Sequence, residues 1–227
     1  MFWMIADKVG RVLAPILIHF LVSNVIGIWF TTGGLHADAA FLTSITAVLV
    51  LPLFLWMYKK DCEIQTGSAD ENRERRSEKR RMRLWDYVFL AVLGTICNMV
   101  LTFVLNFVLY HSGLSNEVQE ALFGSSFIVQ LTGLGIIIPL MEEVLFRGLV
   151  YKRLKGYTKN VWAAILGASA LFAVYHGNII QMMFAFPMGI LLVILYRKWD
   201  SLKAPVTFHA AVNISSVLIA AYTQGLL

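Results

Sequence analysis

Residues 127–148 read FIVQLTGLGIIIPLMEEVLFRG, and this stretch decides how the rest of the chain is interpreted. Residues 127–141 carry no charged side chain, and the apolar run then meets Glu142, Glu143 and Arg147. A run of about 20 mainly apolar residues is long enough to cross a lipid bilayer as a helix. Charged side chains inside such a helix are costly unless they are paired, and they usually serve a function. The stretch therefore predicts a membrane helix that carries functional groups.

Similar apolar stretches lie on both sides of it. The chain has 227 residues, of which 58% are hydrophobic and 15% are charged, whereas soluble proteins average about 25% charged residues. Seven stretches are apolar enough to predict membrane helices, so the expected fold class is all-α, a polytopic membrane helical bundle. The predicted spans are 11–31, 39–58, 86–110, 127–140 with its continuation, 161–175, 179–196 and 204–222.

The basic residues of the connections fall on one side of the membrane. Residues 59–85 hold nine Lys and Arg, residues 151–160 hold four and residues 197–203 hold three, whereas the intervening connections hold none. Positively charged loops stay in the cytoplasm, so we predict a cytoplasmic N-terminus. The chain then divides into residues 1–58 with the first two helices, a charged cytoplasmic loop at 59–85, and a membrane bundle at 86–227.

The net charge of +5 does not indicate a nucleic-acid partner. The loop at 59–85 holds six acidic residues beside its nine basic ones, which is typical of a solvated helix or a partly disordered loop. A docking surface for a partner or for anionic lipid is the alternative. Cys62 is expected in the reducing cytoplasm and Cys97 within a span, so we predict no disulfide.

The two adjacent glutamates are expected to differ in their surroundings. On a continuing helix, Glu143 and Arg147 lie four residues apart on one face, where a carboxylate and a guanidinium can pair. Glu142 is rotated by about 100° from Glu143 and lacks that partner. We expect a fixed ion pair at Glu143 and a carboxylate at Glu142 that can take a proton from water. The competing interpretation is the ordinary end of a span, where acids and arginines are common.

Two later spans each carry a histidine. Phe172 and His176 share one helix face, as do His209 and Asn213. A lone histidine near the end of a span is usually a hydrogen-bonded packing residue. Together with Glu142, however, two imidazoles and an amide can activate water, bind a metal and hold an oxyanion. We expect these groups to meet near the cytoplasmic half of the membrane.

Three polar residues on the earlier spans are interpreted differently. Single polar side chains in membrane helices commonly hydrogen-bond a neighbouring helix. We assign this role to His19, Asn98 and Asn106.

The motifs occur in the order Glu-Glu-x-x-x-Arg, Phe-x-x-x-His and His-x-x-x-Asn over residues 142–213. This order resembles the CPBP family of intramembrane proteases, also called the Abi or type II CAAX prenyl endopeptidase family. The family often has a Phe-x-x-Gly-x-x-x-Gly span between the last two motifs. Here Phe186 and Gly189 match, and Val193 replaces the second glycine. We expect looser helix packing at Val193 and a packing role for Gly189.

The resemblance implies an all-helical membrane endopeptidase in which a carboxylate and an imidazole activate the attacking water. The catalytic residues that it implies are Glu142, His176, His209 and Asn213. The supporting residues that it implies are Glu143, Arg147 and Phe172. A zinc ion is left open, because the carboxylate and the two imidazoles make a plausible ligand set (Glu142, His176, His209) but the chain has no His-Glu-x-x-His motif.

The substrate is open as well. The resemblance allows cleavage of prenylated C-termini, peptide processing or bacteriocin self-immunity, in a bacterial plasma membrane. The expected partners are the lipid bilayer and a membrane-associated peptide or protein, and the oligomeric state is not predicted. The alternative function is a non-proteolytic membrane scaffold that binds a sensor kinase or another membrane partner through residues 59–85. A small transporter is disfavoured because no inverted repeat is apparent.

Overall fold

A computed structural model of the chain describes residues 2–67, 81–112 and 121–226. Within these ranges the fold is all-helical, as predicted, with no strand. Within the predicted charged loop at 59–85, residues 59–67 continue the second helix, and residues 68–80 lie outside the described residues. The main helices are α1 (Phe2–Thr32), α2 (Ala39–Gly67), α3 (Leu84–Ser112), α4 (Phe127–Thr158), α5 (Val161–Tyr175), α6 (Ile179–Trp199) and α7 (Lys203–Thr223).

Six of these helices are long and apolar enough to cross a membrane, and α5 is shorter. With 15 residues, α5 is about 22 Å long, less than the roughly 30 Å of a hydrocarbon core. It ends in a tight turn, where Gly177 has a φ of 68° and the Asn178 side chain caps the first turn of α6. Because α5 is shorter than a full span, we expect this turn to lie within the thickness of the membrane.

Helix α4 is not uniformly α-helical. Gln130–Ile137 and Val144–Tyr151 are wound as π-helix, and Ile138–Glu143 between them is α-helical. A proline within a helix has no N–H, and its ring crowds the carbonyl four residues earlier, so Pro139 disfavours tight winding in the preceding turn. Extended π-helix is rare and often occurs at functional sites. Glu142 and Glu143 lie where the α-helical segment gives way to the second π-helical one.

Helix α7 packs closely against its neighbours through glycines on those helices. A Cβ at Gly94 of α3 would come within 2.5 Å of the Phe208 carbonyl, and one at Gly135 of α4 within 2.9 Å of Ile214. The α3–α7 contact also contains hydrogen bonds, because Asn98 Nδ2 donates to Ser215 Oγ at 2.9 Å. The interhelical role predicted for Asn98 is therefore confirmed.

Replacing Gly94 by alanine is expected to lower the melting temperature of the purified protein in detergent. The new methyl group would overlap a backbone carbonyl, which cannot move without shifting α7, and such overpacking typically costs about 1–3 kcal/mol. Gly27→Ala is the matched control, because a Cβ at Gly27 has nothing within 4 Å. Equal melting temperatures for the two variants would contradict the close α3–α7 packing.

Candidate active site

Three buried side chains from two helices form one connected network. Arg147 Nη1 donates to Glu143 Oε1 at 2.8 Å within α4, and His209 Nδ1 on α7 lies 2.8 Å from the same oxygen. Because an ionised carboxylate only accepts, Nδ1 of His209 carries the hydrogen. Arg147 Nη2 also donates to the Gly189 carbonyl of α6 at 3.3 Å. The ion pair thus joins α4, α6 and α7.

Gly189 has the packing role assigned to it from the sequence. A Cβ at this position would come within 3.0 Å of the Ser169 side chain on α5. The close approach of the two helices also brings the Gly189 carbonyl within reach of Arg147. A larger residue here would disturb both the α5–α6 contact and the support of the ion pair.

Glu142 lies beside this network and faces its histidine. Its Oε2 is 3.7 Å from Nε2 of His209, which is too long for a hydrogen bond. Since Nδ1 of His209 is committed to Glu143, Nε2 of the neutral ring carries a lone pair. Two electron-rich atoms therefore face each other across a short gap, and a proton, a water molecule or a cation between them would interact with both.

His176 forms the C-terminal cap of α5. Its Nδ1 donates to the Phe172 carbonyl at 2.8 Å, which leaves Nε2 as the basic nitrogen of the neutral ring. The Phe172 ring contacts both imidazoles, with its centroid 4.9 Å from that of His176 and 5.9 Å from that of His209. The Arg147 guanidinium lies over the same ring at 4.5 Å. Phe172 therefore packs against both histidines and against the buried cation.

Asn213 is held by a carbonyl that the local winding of α4 leaves free. The Ile138 N–H bonds to the Gly133 carbonyl, five residues back, and in this register the Leu134 carbonyl would need the N–H of Pro139, which proline lacks. Asn213 Nδ2 donates to the Leu134 carbonyl at 2.8 Å instead. One amide hydrogen of Asn213 is thus committed, and the second remains available.

The predicted catalytic residues line a single cavity of about 940 Å³. Its wall combines their polar groups with apolar side chains such as Phe184 and Met188 from α6. The members of the predicted site that line it are Glu142, Phe172, His176, His209 and Asn213. Glu143 and Arg147 are buried behind this wall.

The cavity lies in the half of the bundle away from the basic connections. Its lining comes from the C-terminal halves of α1 and α3, the N-terminal halves of α2 and α4, the end of α5, and α7 from Phe208 onward. That the catalytic groups themselves meet near the half that carries the basic loops stays a prediction. The short distance from the loop near Ser201 does place His209 toward that side, but the open space extends from His209 in the opposite direction.

The three proposed zinc ligands are not gathered into a metal site. Among residues 2–67, 81–112 and 121–226, no group of three or more His, Cys, Asp or Glu side chains is arranged to hold a metal ion. Glu142 Oε2 and His209 Nε2 face each other as two possible metal ligands. His176 does not join them as a third ligand. A zinc ion held by Glu142, His176 and His209 therefore stays a prediction.

A tyrosine next to His176 belongs to the same region and was not predicted. The Tyr175 hydroxyl lies 3.1 Å from both ring nitrogens of His19 on α1, and its ring packs 5.1 Å from that of Phe146. This contact confirms the interhelical role predicted for His19. The signal for Tyr175 was its place beside a candidate catalytic residue in an apolar helix, because a buried tyrosine hydroxyl usually finds a partner.

Membrane-length helices around a buried carboxylate–imidazole cluster define an integral membrane protein with a candidate hydrolytic site. Residues 124–215 match the family model described as type II CAAX prenyl endopeptidase Rce1-like. The match covers less than half of the chain but contains all three motifs, and it supports membership of the CPBP family. The family suggests an intramembrane endopeptidase of the CAAX type. No curated protein and no solved structure matches the chain.

Proposed function

We propose that the protein hydrolyses a peptide bond of a membrane-associated peptide or protein. The observation that carries the proposal is the pair formed by Glu142 and His209, which lines a cavity within the membrane and is braced from behind by Glu143 and Arg147. A carboxylate without a fixed hydrogen-bonded partner, next to a histidine held in one tautomer, is suited to accepting a proton from water.

In this mechanism, water bound beside Glu142 gives a proton to its carboxylate as the water oxygen attacks the peptide carbonyl carbon. The basic Nε2 of His176 orients the water, and the second amide hydrogen of Asn213 donates to the oxyanion of the tetrahedral intermediate. His209, fixed by Glu143, presents its basic Nε2 to Glu142 and accepts a hydrogen bond from that carboxyl group once it has taken the proton. The proton then passes from Glu142 to the amide nitrogen as the C–N bond breaks, which releases an amine and a carboxylate.

The test is a comparison of new peptide N-termini in membranes of cells that make wild-type protein, Glu142→Gln or Glu63→Gln at equal protein levels. Glu63→Gln is the matched control, because Glu63 is an exposed carboxylate near the end of α2 that does not line the cavity. We expect peptides that are present with wild type and Glu63→Gln and absent with Glu142→Gln. If the sets of new N-termini are identical, and cells that make Glu142→Gln keep the phenotype of cells that make wild-type protein, the result would favour the scaffold function instead.

For the substrate class, we propose peptides that are processed at a bacterial plasma membrane, including bacteriocins in self-immunity. The proposal rests on the family resemblance and on the mixed lining of the cavity, where apolar side chains face carboxylate, imidazole and amide groups. Such a lining suits a peptide with apolar side chains and a polar backbone. The N-termini found in the comparison would name these peptides directly.

Participation of zinc is a separate proposal with its own measurement. It requires Nε2 of His176 to join Glu142 and His209, since a catalytic zinc ion usually has three protein ligands. If zinc is bound in this way, purified wild-type protein contains about one zinc ion per chain and His209→Ala contains far less. Equal trace amounts of zinc in both proteins, measured by elemental analysis, would contradict the proposal.

A further inference from the structure

The cavity described above extends toward one face of the membrane. Its lining reaches the start of α2 at Ala39, the segment 121–123 before α4, and the end of α7 at Thr223 and Gln224. These positions all lie at the end of the bundle where α1 ends and α4 begins. By contrast, the lining of α6 stops at Leu192, well before its basic end.

Two rows of polar side chains follow the cavity toward that end, and they meet at its deep end, where Ser216 Oγ donates to Asn98 Oδ1 at 3.2 Å. On α3, Asn98, Thr102 and Asn106 are spaced four residues apart and therefore share one face. On α7, Asn213 and Ser216 begin a second row, which Thr223 and Gln224 complete at the end of the helix. Two polar rows along apolar helices are typical of a water-filled path, because polar groups in contact with lipid are costly.

Asn106 shows the contrast between the cavity and the lipid most directly. It is exposed and lines the cavity, whereas its neighbour Phe103, on another face of α3, is 75% exposed and does not line it. The two positions lie less than one turn apart, at nearly the same depth in the membrane. An exposed amide and an exposed aromatic ring at one depth indicate water on one face of α3 and lipid on another.

The basic connections lie at the opposite end of the bundle. Lys152, Arg153 and Lys155 lie near the end of α4, and Arg197 and Lys198 near the end of α6. The positive-inside rule places these residues in the cytoplasm. The end to which the cavity extends then faces away from the cytoplasm.

We infer that water and substrate enter the cavity from the extracytoplasmic face of the membrane, along the polar rows of α3 and α7. For substrate, the inference rests on the proposed function and deepens it: the substrate class is a polypeptide segment presented at the outer side of the membrane. Its apolar side chains would contact Phe184 and Met188, and its scissile bond would lie beside Glu142. A protein that exposes its modified C-terminus only in the cytoplasm would not reach this path.

The test uses single cysteines in the full chain after replacement of Cys62 by serine and Cys97 by alanine. Asn106→Cys reports the path, and Phe103→Cys is the matched lipid-facing control. His36→Cys in the connection after α1 and Lys155→Cys near the end of α4 mark the two membrane faces. Spheroplasts and inverted vesicles are treated with a charged, membrane-impermeant methanethiosulfonate reagent. Thr102→Cys, one turn deeper, replaces Asn106→Cys if the latter does not accumulate.

We expect Asn106→Cys and His36→Cys to be labelled in spheroplasts and Lys155→Cys only in inverted vesicles. Asn106→Cys should react roughly tenfold faster than Phe103→Cys or more, because the reactive thiolate requires water. Labelling of Asn106→Cys only in inverted vesicles, or no faster than Phe103→Cys, would overturn the inference. Labelling does not require catalysis and should be the same with Glu142→Gln. The expected labelling together with no wild-type-dependent peptide cleavage would therefore count against the proposed function alone.

Discussion

Replacing Arg147 by alanine is expected to destabilise the protein by about 3–5 kcal/mol, because removal of one partner leaves the other as an uncompensated buried charge. Arg147 is 1% exposed and Glu143 is completely buried, so water cannot replace the lost guanidinium. The change also removes the bond to the Gly189 carbonyl and the stacking over Phe172. The measurement is the thermal or denaturant-induced unfolding of purified protein in detergent, together with its level in membranes.

Arg153→Ala is the matched control for this prediction. Arg153 pairs with Asp61 at 2.7 Å and also bonds the Arg11 carbonyl. The two paired side chains are 13% and 21% exposed, so water can replace part of the lost contact, and removal should cost about 1–2 kcal/mol. Adding Glu143→Gln to the Arg147→Ala variant should lower the free energy of unfolding much less than Glu143→Gln does in the wild-type protein, since the two groups act as one pair. Equal stability losses for Arg147→Ala and Arg153→Ala would show that the buried pair does not brace the bundle.

Glu142→Gln is expected to lower the rate of peptide cleavage by about 10²–10⁴-fold, the usual contribution of a general base. The change keeps the shape of the side chain and removes its ability to take a proton. It should not lower stability, because Glu142 makes no close ion pair and its nearest charged or imidazole contact is the 3.7 Å approach to His209. The measurement is the cleavage rate of a peptide found in the N-terminus comparison, with melting temperatures recorded in parallel.

The neighbouring glutamate supplies the comparison. Glu143→Gln should destabilise the protein, because it leaves Arg147 buried without its carboxylate. The two adjacent substitutions are thus expected to have different effects. Glu142→Gln should lower the cleavage rate, and Glu143→Gln should lower stability. If Glu142→Gln cleaves as fast as wild type, Glu142 is not the base, whatever the result at Glu143.

The parts of the site that sequence predicted are those fixed by local helix geometry. Glu143 and Arg147 pair because they lie four residues apart, and the same spacing places Phe172 beside His176. The link between Glu143 and His209 could not be predicted, because it depends on how α7 packs against α4. Asn213 was identified from its spacing after His209, but its bond to the Leu134 carbonyl also depends on the winding of α4 before Pro139.

The direction in which the cavity extends could not be predicted from the sequence, for a physical reason. Counting residues from a loop gives the depth of one side chain along its own helix. It does not show where neighbouring helices separate, which depends on tilts and on contacts such as Gly94 against Phe208. Close packing at one level and open space at another are properties of the whole bundle. Sequence therefore located the polar groups better than the space around them.

The π-helical winding of Gln130–Ile137 lets this part of α4 accommodate a change in length. A π-helical turn contains an additional residue relative to an α-helical one. Deleting one residue from this stretch would favour ordinary α-helix, and the tighter turns would offset more than half of the rotation of about 100° that a deletion causes in a uniform α-helix. Glu142 would then stay on the side of α4 that faces His209. Among related chains, a one-residue alignment gap in this segment would therefore be compatible with an intact site.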